Sequence, residues 1–514
     1  MPSTTSHTPP AGSGILLGLI CFLAGAGVMV IEISASRLLN PVYGNSVFTW
    51  TSLIGVLLVC ISVGGWIGGF LSDKKADFSI LGWMLAGAAV LTLFIPAVAE
   101  FALPKPGVNV GLISGPLVSS ILLFALPGIL LGAVSPIALR LYSLLGRDAH
   151  VGRAAGTISM LGSLGSFVGT FLSGFYLVAN YSVKSIFIGS GLLLVVLAAL
   201  AFLLNRRGLG QVVQVAISGG IAAIIGLTAR DSALANVIHQ EESFYHRISV
   251  VEQGQGAHAM RFLQLDNTTE GGIRMADGAV TLEYQNYWRL PGLKPDFSMK
   301  RALFIGAGAF GMPCSVAREW PQAEVDVAEL DPKVIAVGEK YFKLKEHPRV
   351  HAHAGDARRY LNQNQEQKWD FIFGDAYNGI RAIPSHLTSK EFFQLVKERL
   401  TPQGIFLMNV ITAVNGPRSE LLSGMVSTLR EVFPHIELLA VSGGLERSQN
   451  VLILATQEDW KPLFTDTNYY SGSWQAMIAG RYVPYAQWPA KGQVFTDDLN
   501  PVDAIIARSV MADH

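Results

Sequence analysis

Two hydrophobic rhythms divide the chain. Up to about residue 230 it is built from long apolar runs, at 14–34, 47–71, 79–99, 115–139, 154–178, 183–204 and 209–228. A helix needs roughly 20 apolar residues to cross a bilayer, and in lipid every backbone polar group must be bonded within its own segment. The runs therefore predict seven transmembrane helices over 1–230. From about 235 the runs shorten. "FYHRISVVEQ" and "MRFLQLDN" read as short strands and predict a small β region over 235–295. After Lys294-Pro295 strands and helices alternate. Ala302–Ile305 is a buried strand that enters a glycine loop and a helical stretch. "AEVDVAELDP" is a second strand, followed by a helix bearing Val334, Val337 and Tyr341, and further strands lie in "RVHAHAGDARRYL", "KWDFIFGDAYNG" and "GIFLMNV". This alternation predicts an α/β domain over 296–514 with a doubly wound parallel sheet, a Rossmann-type arrangement.

Charge follows the same division. The first 230 residues hold 16 charged side chains and the remaining 284 hold 60, of which 27 are Lys or Arg and 33 Asp or Glu. The first part suits a lipid bilayer. The mildly acidic second part argues against nucleic acid as a partner. Three cysteines, two of them in apolar runs, exclude a disulfide scaffold and a cysteine zinc site. His347, His351 and His353 have no carboxylate at ligand spacing, so no metal is expected. The N-terminus lacks a basic region and a cleavage pattern, so no cleavable signal peptide is expected.

Glycines crowd the second span (Gly64, Gly65, Gly68, Gly69) and the fifth (Gly156, Gly162, Gly165, Gly169, Gly174), as close helix packing or a lined substrate path requires. Glu32 and Arg37 flank the end of the first span, and Pro127 and Pro136 interrupt the fourth. Loop charge sets orientation. Lys74, Lys75, Arg140, Arg147, Arg153, Arg206 and Arg207 lie on the N-terminal side, against Arg37, Lys105, Lys184 and Arg230 on the other. The expected arrangement is a multi-pass protein of the cell (inner) membrane with a cytoplasmic N-terminus. Seven spans then lean the soluble domain outward, whereas a cytoplasmic cofactor supply argues the reverse.

The glycine loop, Gly306-Ala307-Gly308-Ala309-Phe310-Gly311, fits G-x-G-x-x-G between a strand and a helix. By itself the motif does not choose between a dinucleotide and an adenosyl cofactor. Glu329 stands 18 residues after Gly311 at a strand end, where a carboxylate can accept from both ribose hydroxyls. Asp356 follows the third strand, where it can accept from an adenine amino group or cap the next helix. This second acid favours an adenosyl sulfonium over NAD. Asp375 also ends a strand, and a carboxylate there can attract a protonated amine, remove its proton and orient the lone pair. Asp497 and Asp498, before Asn500-Pro501, either close the site or cap a helix.

Residues 240–460 resemble the spermidine synthase family of polyamine aminopropyltransferases. The resemblance rests on "LQLD" (263–266), "EYQNYWRLPGL" (283–293), the glycine loop, "ELDP" (329–332), "GDAR" (355–358), "DAYNG" (375–379) and "SKEFF" (389–393). The whole arrangement resembles the membrane-bound members. It implies a multi-pass α-helical membrane domain followed by an α/β methyltransferase-like domain with a small N-terminal β region. It also implies transfer of an aminopropyl group from decarboxylated S-adenosylmethionine to a small amine such as putrescine. By position, Gln285 and Glu329 would hold the ribose and the methionine-derived part, with Gly306, Gly308 and Gly311 beneath the cofactor. Asp356 and Ala357 would hold adenine, Asp375 would be the catalytic carboxylate, and Tyr284 would sit beside the acceptor, with His246 and Asn378 in the acceptor site. Gly68–Lys75 in turn resembles the loop between the second and third helices of major-facilitator transporters, of which this chain has the equivalent of one half. A homo-oligomer is therefore a possible partner arrangement.

Three positions depart from the family pattern: Ala309 and Asn378 replace aspartates, and His246 replaces a Gln. Without those anions, intact S-adenosylmethionine becomes an alternative donor, for methyl transfer or for breakdown of the sulfonium. A transporter or sensor that binds adenosyl ligands without turnover is the reading from a different class.

Overall fold

The computed structural model describes residues 12–44, 47–104, 114–145, 151–205, 208–228, 236–266, 268–377, 383–466 and 473–511. The chain forms two compact units, Met1–Ala233 and Leu234–His514.

The first unit is helical: α1 (Ser13–Tyr43), α2 (Val47–Lys74), α3 (Phe78–Ala102), α4 (Ser114–Gly132), α5 (Val134–Leu145), α6 (Val151–Leu172), a π-helical turn Ser173–Leu177 leading into α7 (Val178–Asn180), α8 (Val183–Leu204) and α9 (Leu209–Thr228). With α4–α5 and α6–α7 each taken as one span, seven helices among the described residues are long and apolar enough to cross a membrane. The first runs on through Glu32 and Arg37 to Tyr43, so these two charges lie within the helix and do not flank its end. The fourth stays helical through Pro127 and breaks at Ala133. Pro136, three residues on, has no N–H to offer the Gly132 carbonyl. The span glycines divide. A Cβ on Gly165 or Gly169 would strike the backbone of α1, at Phe22 or Ala26, and one on Gly64 would strike Ile129 of α4. Gly69, Gly156, Gly162 and Gly174 have open space.

The second unit opens with an antiparallel sheet in the order β1 (Val237–Glu242), β2 (Arg247–Gln253), β3 (Met260–Leu265), β4 (Thr268–Arg274). A 3-10 stretch, Glu283–Leu293, carries Tyr284 and Gln285 to the larger sheet. That sheet is built from β5 (Arg301–Ile305), β6 (Glu324–Glu329), β7 (Val350–Ala354), β8 (Trp369–Gly374), β9 (Leu400–Thr412), β10 (His435–Ala440) and β11 (Gln449–Thr456), in the order β10-β11-β9-β8-β5-β6-β7. The helices are α10 (Gly311–Glu319), α11 (Pro332–Tyr341), α12 (Ala357–Gln363), α13 (Lys390–Arg399), α14 (Glu420–Arg430), α15 (Pro462–Thr465), α16 (Ser473–Arg481) and α17 (Val502–Met511). The fold is a Rossmann-like, methyltransferase-type α/β domain. The sheet is mixed, where a parallel one was expected. β5–β9 run parallel, but β11 pairs antiparallel with both β9 and β10.

Alternation along β5 shows why helices cover both faces. Ala302 and Phe304 enter one core, with Val325, Val327, Phe371 and Phe373; Leu303 and Ile305 enter the other, with Ile372, Phe393 and Phe406. Side chains in a strand point alternately to opposite faces, and both faces here are apolar. The chain leaves β5 towards β6 and β7, then returns to place β8 on the other side of β5. Strand order therefore reverses beside the carboxyl ends of β5 and β8, where open α/β sheets form their ligand crevice.

Candidate functional site

A cleft opens at that reversal. Its floor is the glycine loop. Gly306 (φ +91°) and Gly308 (φ +49°) take left-handed backbone that glycine adopts without strain. A Cβ on Gly306 would lie 2.6 Å from the carbonyl oxygen of Asp375, and one on Gly308 would lie 3.0 Å from that of Glu270. The loop is thus pressed between the end of β8 and strand β4. Gly311 starts α10, where its missing side chain leaves room for Val280 and Ile273.

Glu329, ending β6, lines the cleft, and both its oxygens are oriented by backbone. Oε2 accepts from the Ala307 N–H (3.0 Å) and Oε1 from that of Asp331 (2.9 Å). Burial raises its pKa, and the two N–H donors oppose the rise. Asp356 takes the helix-capping role and stands at the cleft. It caps α12 through the Arg359 N–H (2.9 Å) and lines the cleft beside Ala357, with its other oxygen 2.7 Å from His386 Nε2. His386 holds the Asp356 carboxyl below its ordinary pKa.

Asp375 follows β8, and its N–H bonds the Ile305 carbonyl (2.9 Å). Asn409 Nδ2 donates to Oδ1 (2.8 Å) and the Tyr284 hydroxyl to Oδ2 (2.9 Å). Burial pushes the Asp375 carboxyl up to about 6 against those two hydrogen bonds. A carboxylate ionising near neutrality can exchange a proton with an amine. Asn409 is itself held by Asn450 of β11 (Nδ2 to Oδ1, 3.0 Å). Tyr377 secures the loop, donating to the Asn409 carbonyl (2.9 Å) and accepting from the Ile411 N–H (3.0 Å).

The remaining expected residues fall into three groups. His246 lines the cleft with Nδ1 on Asp266 Oδ2 (2.9 Å). Tyr284 and Gln285 lie off the cleft wall. Tyr284 reaches the site through Asp375, and Gln285, 2% exposed, turns its amide nitrogen to the Glu270 carbonyl at 3.3 Å. Asn378 lies outside the described residues. Ala309 is 1% exposed, is absent from the cleft wall and packs towards Gly271. Asp497 braces the rim through both oxygens on Arg358 of α12 (2.7 and 2.6 Å), while the Asn500 side chain accepts from the Val502 N–H (3.3 Å) at the start of α17.

Sequence reasoning missed Glu270 of β4, which lines the cleft. It also missed Asn409, although a lone Asn in the apolar run "GIFLMNVIT" was a visible signal. The cleft wall carries Glu270, Glu329, Asp331, Asp356 and Asp375; among the described residues that line it there is no Lys or Arg. His351 and His353 pair across strands with Glu324 (2.7 Å) and Asp326 (3.1 Å).

Residues 289–442 match the spermine/spermidine synthase domain. The chain is similar to the polyamine aminopropyltransferase of Vibrio vulnificus, at 32% identity over 212 residues, covering 39% of this chain and 66% of that protein. It is also similar to the eEF1A lysine and N-terminal methyltransferase homolog of Drosophila melanogaster, at 27% identity over 176 residues, covering 32% of this chain and 25% of that protein. The match thus spans just under two thirds of the first relative and a quarter of the second. Among solved structures, a probable spermidine synthase from Corynebacterium glutamicum aligns with TM-score 0.42 and 18% identity, over 52% of this chain and 99% of that one.

Proposed function

From the spermine/spermidine synthase domain that the chain carries over residues 289–442, we propose a membrane-anchored aminopropyltransferase. It moves an aminopropyl group from decarboxylated S-adenosylmethionine to a small amine such as putrescine. The observation that carries this reading is the cleft wall, with five carboxylates and no Lys or Arg among its described residues. Such a wall favours a cationic sulfonium and a cationic amine over an anionic ligand.

Each residue has a separate task. Glu329 accepts from the ribose hydroxyls and Asp356 from the adenine amino group, while Gly306 and Gly308 let the ligand approach the backbone. Asp375 draws the acceptor's ammonium and takes one of its protons. The freed nitrogen lone pair attacks the methylene carbon bound to sulfur. A C–N bond forms and a C–S bond breaks, its electron pair staying on sulfur, which leaves as the neutral thioether of methylthioadenosine. Sulfur is already a good leaving group, so alignment of the two reactants supplies most of the acceleration. Tyr284 and Asn409 fix the Asp375 carboxylate for this transfer.

The seven apolar helices support an anchor in the bilayer. Their outward side chains include Ile15, Trp66, Phe101 and Phe175, which are 74–86% exposed and suit lipid contact. Loop charge leans the N-terminus to the cytoplasm, and seven spans then lean the catalytic unit to the opposite side, against the cytoplasmic supply of the donor.

The similarity to a methyltransferase supports a second reading, in which intact S-adenosylmethionine is the donor. Product mass spectrometry with each donor offered separately distinguishes the two. Methylthioadenosine together with an aminopropylated amine is the expected result, and S-adenosylhomocysteine from the intact donor would replace it.

A further inference from the structure

We propose that Glu270 selects the donor. It holds the terminal ammonium of a sulfonium that carries no carboxylate, and with Asp375 it turns away one that does. The proposal rests on the adenosyl-donor reading above and names the group that decides between its two donors.

Glu270 reaches the cleft because β4 crosses the glycine loop. Its carbonyl lies against Gly308 and accepts from Gln285 Nε2 at 3.3 Å. Its carboxylate then shares the wall with Asp375 and His246. Oε1 accepts from Thr268 Oγ1 at 2.5 Å, and no Lys or Arg pairs with it among the described residues. Burial pushes this carboxyl up to about 7, and the charges of Asp375 and Glu329 add to the rise. A cation placed between Glu270 and Asp375 would relieve that repulsion and return both groups to their ionised form.

A carboxylate in the same place would find no such welcome. The two histidines of the wall are each held by an acid, His246 by Asp266 and His386 by Asp356. No Lys or Arg lines the cleft among the described residues. The amino-acid end of intact S-adenosylmethionine would bring its anion towards Glu270 and Asp375, and like-charge juxtaposition is how a site rejects a near-identical ligand. Ala309 of the glycine loop lies off the cleft wall, against Gly271.

The test is calorimetry on the full-length detergent-solubilised protein without acceptor. Three ligands are compared: decarboxylated S-adenosylmethionine, the intact compound, and methylthioadenosine, which lacks the charged chain. Wild type should prefer the decarboxylated donor. Glu270→Gln should weaken that donor by roughly tenfold or more, as loss of a charged hydrogen-bond partner does, and should leave methylthioadenosine within about twofold, which also shows that the site is folded. Glu270→Asp, which keeps the charge on a shorter arm, should fall between them. An unchanged ratio of the two donors in Glu270→Gln overturns the assignment, as does equal weakening of methylthioadenosine. Wild type that binds methylthioadenosine yet prefers the intact donor overturns the role of Glu270 and leaves an adenosyl enzyme. Wild type that binds none of the three overturns the proposed function, and this inference with it.

Discussion

The Tyr284 hydroxyl donates to Oδ2 of Asp375 at 2.9 Å, and it does so from the 3-10 stretch that lies between the small β region and the larger sheet. This hydrogen bond favours the ionised carboxylate, while burial opposes it and leaves Asp375 at about 6. A base must be ionised to work, so kcat/KM should rise along an acid limb near pH 6. Tyr284→Phe removes a donor to the charged form and should move that limb to higher pH. One pKa unit is about 1.4 kcal/mol, and a hydrogen bond to a charged group contributes about 1.5–3 kcal/mol, so a shift of about one to two units is expected. A limb that stays in place in the pH–rate profile would show that another group titrates.

Asp375→Asn keeps the shape of the side chain. Its oxygen can still accept from Asn409, and its amide can donate to the Tyr284 hydroxyl. Methylthioadenosine affinity should therefore persist while turnover falls by roughly 10²–10⁴, the usual worth of a positioned base. Near-normal rates in the purified variant would remove Asp375 from the mechanism.

Glu270 also carries a stability signature. In the fold its carboxyl ionises near 7, above its ordinary 4.5. A raised acid contributes its full stability below the ordinary value and loses it as pH rises through about 7. Glu270→Gln cannot ionise. The Tm difference between variant and wild type, both without ligand, should therefore move in the variant's favour between pH 5 and pH 8. A difference that stays flat over that range would show that Glu270 is not held protonated.

Much of the site was legible because its parts sit at strand ends. Gly306 and Asp375 follow apolar runs that read as strands, Glu329 ends one and Asp356 follows the alternating "RVHAHAG", and the sheet brings such ends together. Glu270 lies in "TTEGGIR", where nothing local marks it; only the crossing of β4 over Gly308 brings it to the cleft. The reverse held for Gln285 and Ala309, whose places in their motifs say nothing of which way they face. The antiparallel pair β10 and β11 was missed because two apolar runs in a strand-helix series give no sign of direction.

Glu329→Ala should weaken methylthioadenosine binding by at least about tenfold, the cost of losing a charged acceptor. Glu329→Gln should rescue little. Both oxygens accept from backbone N–H groups, at Ala307 and Asp331, and the amide would turn a donor towards one of them. A glutamine variant that binds as wild type does in calorimetry would contradict this.

Sidedness can be read from C-terminal fusions. With a cytoplasmic N-terminus and seven spans, an alkaline phosphatase fusion should be active and a green fluorescent protein fusion dark. The opposite pair of results would place the catalytic unit in the cytoplasm.

The contact between Gly306 and Asp375 has a mechanical meaning. The Asp375 carbonyl occupies the volume where a side chain on the loop would otherwise stand, and the Asp375 N–H is tied to Ile305, the residue just before that loop. In the proposed reaction the donor's cradle and the base that serves the acceptor would therefore be joined by direct backbone contact. A substitution that moved one would carry the other with it.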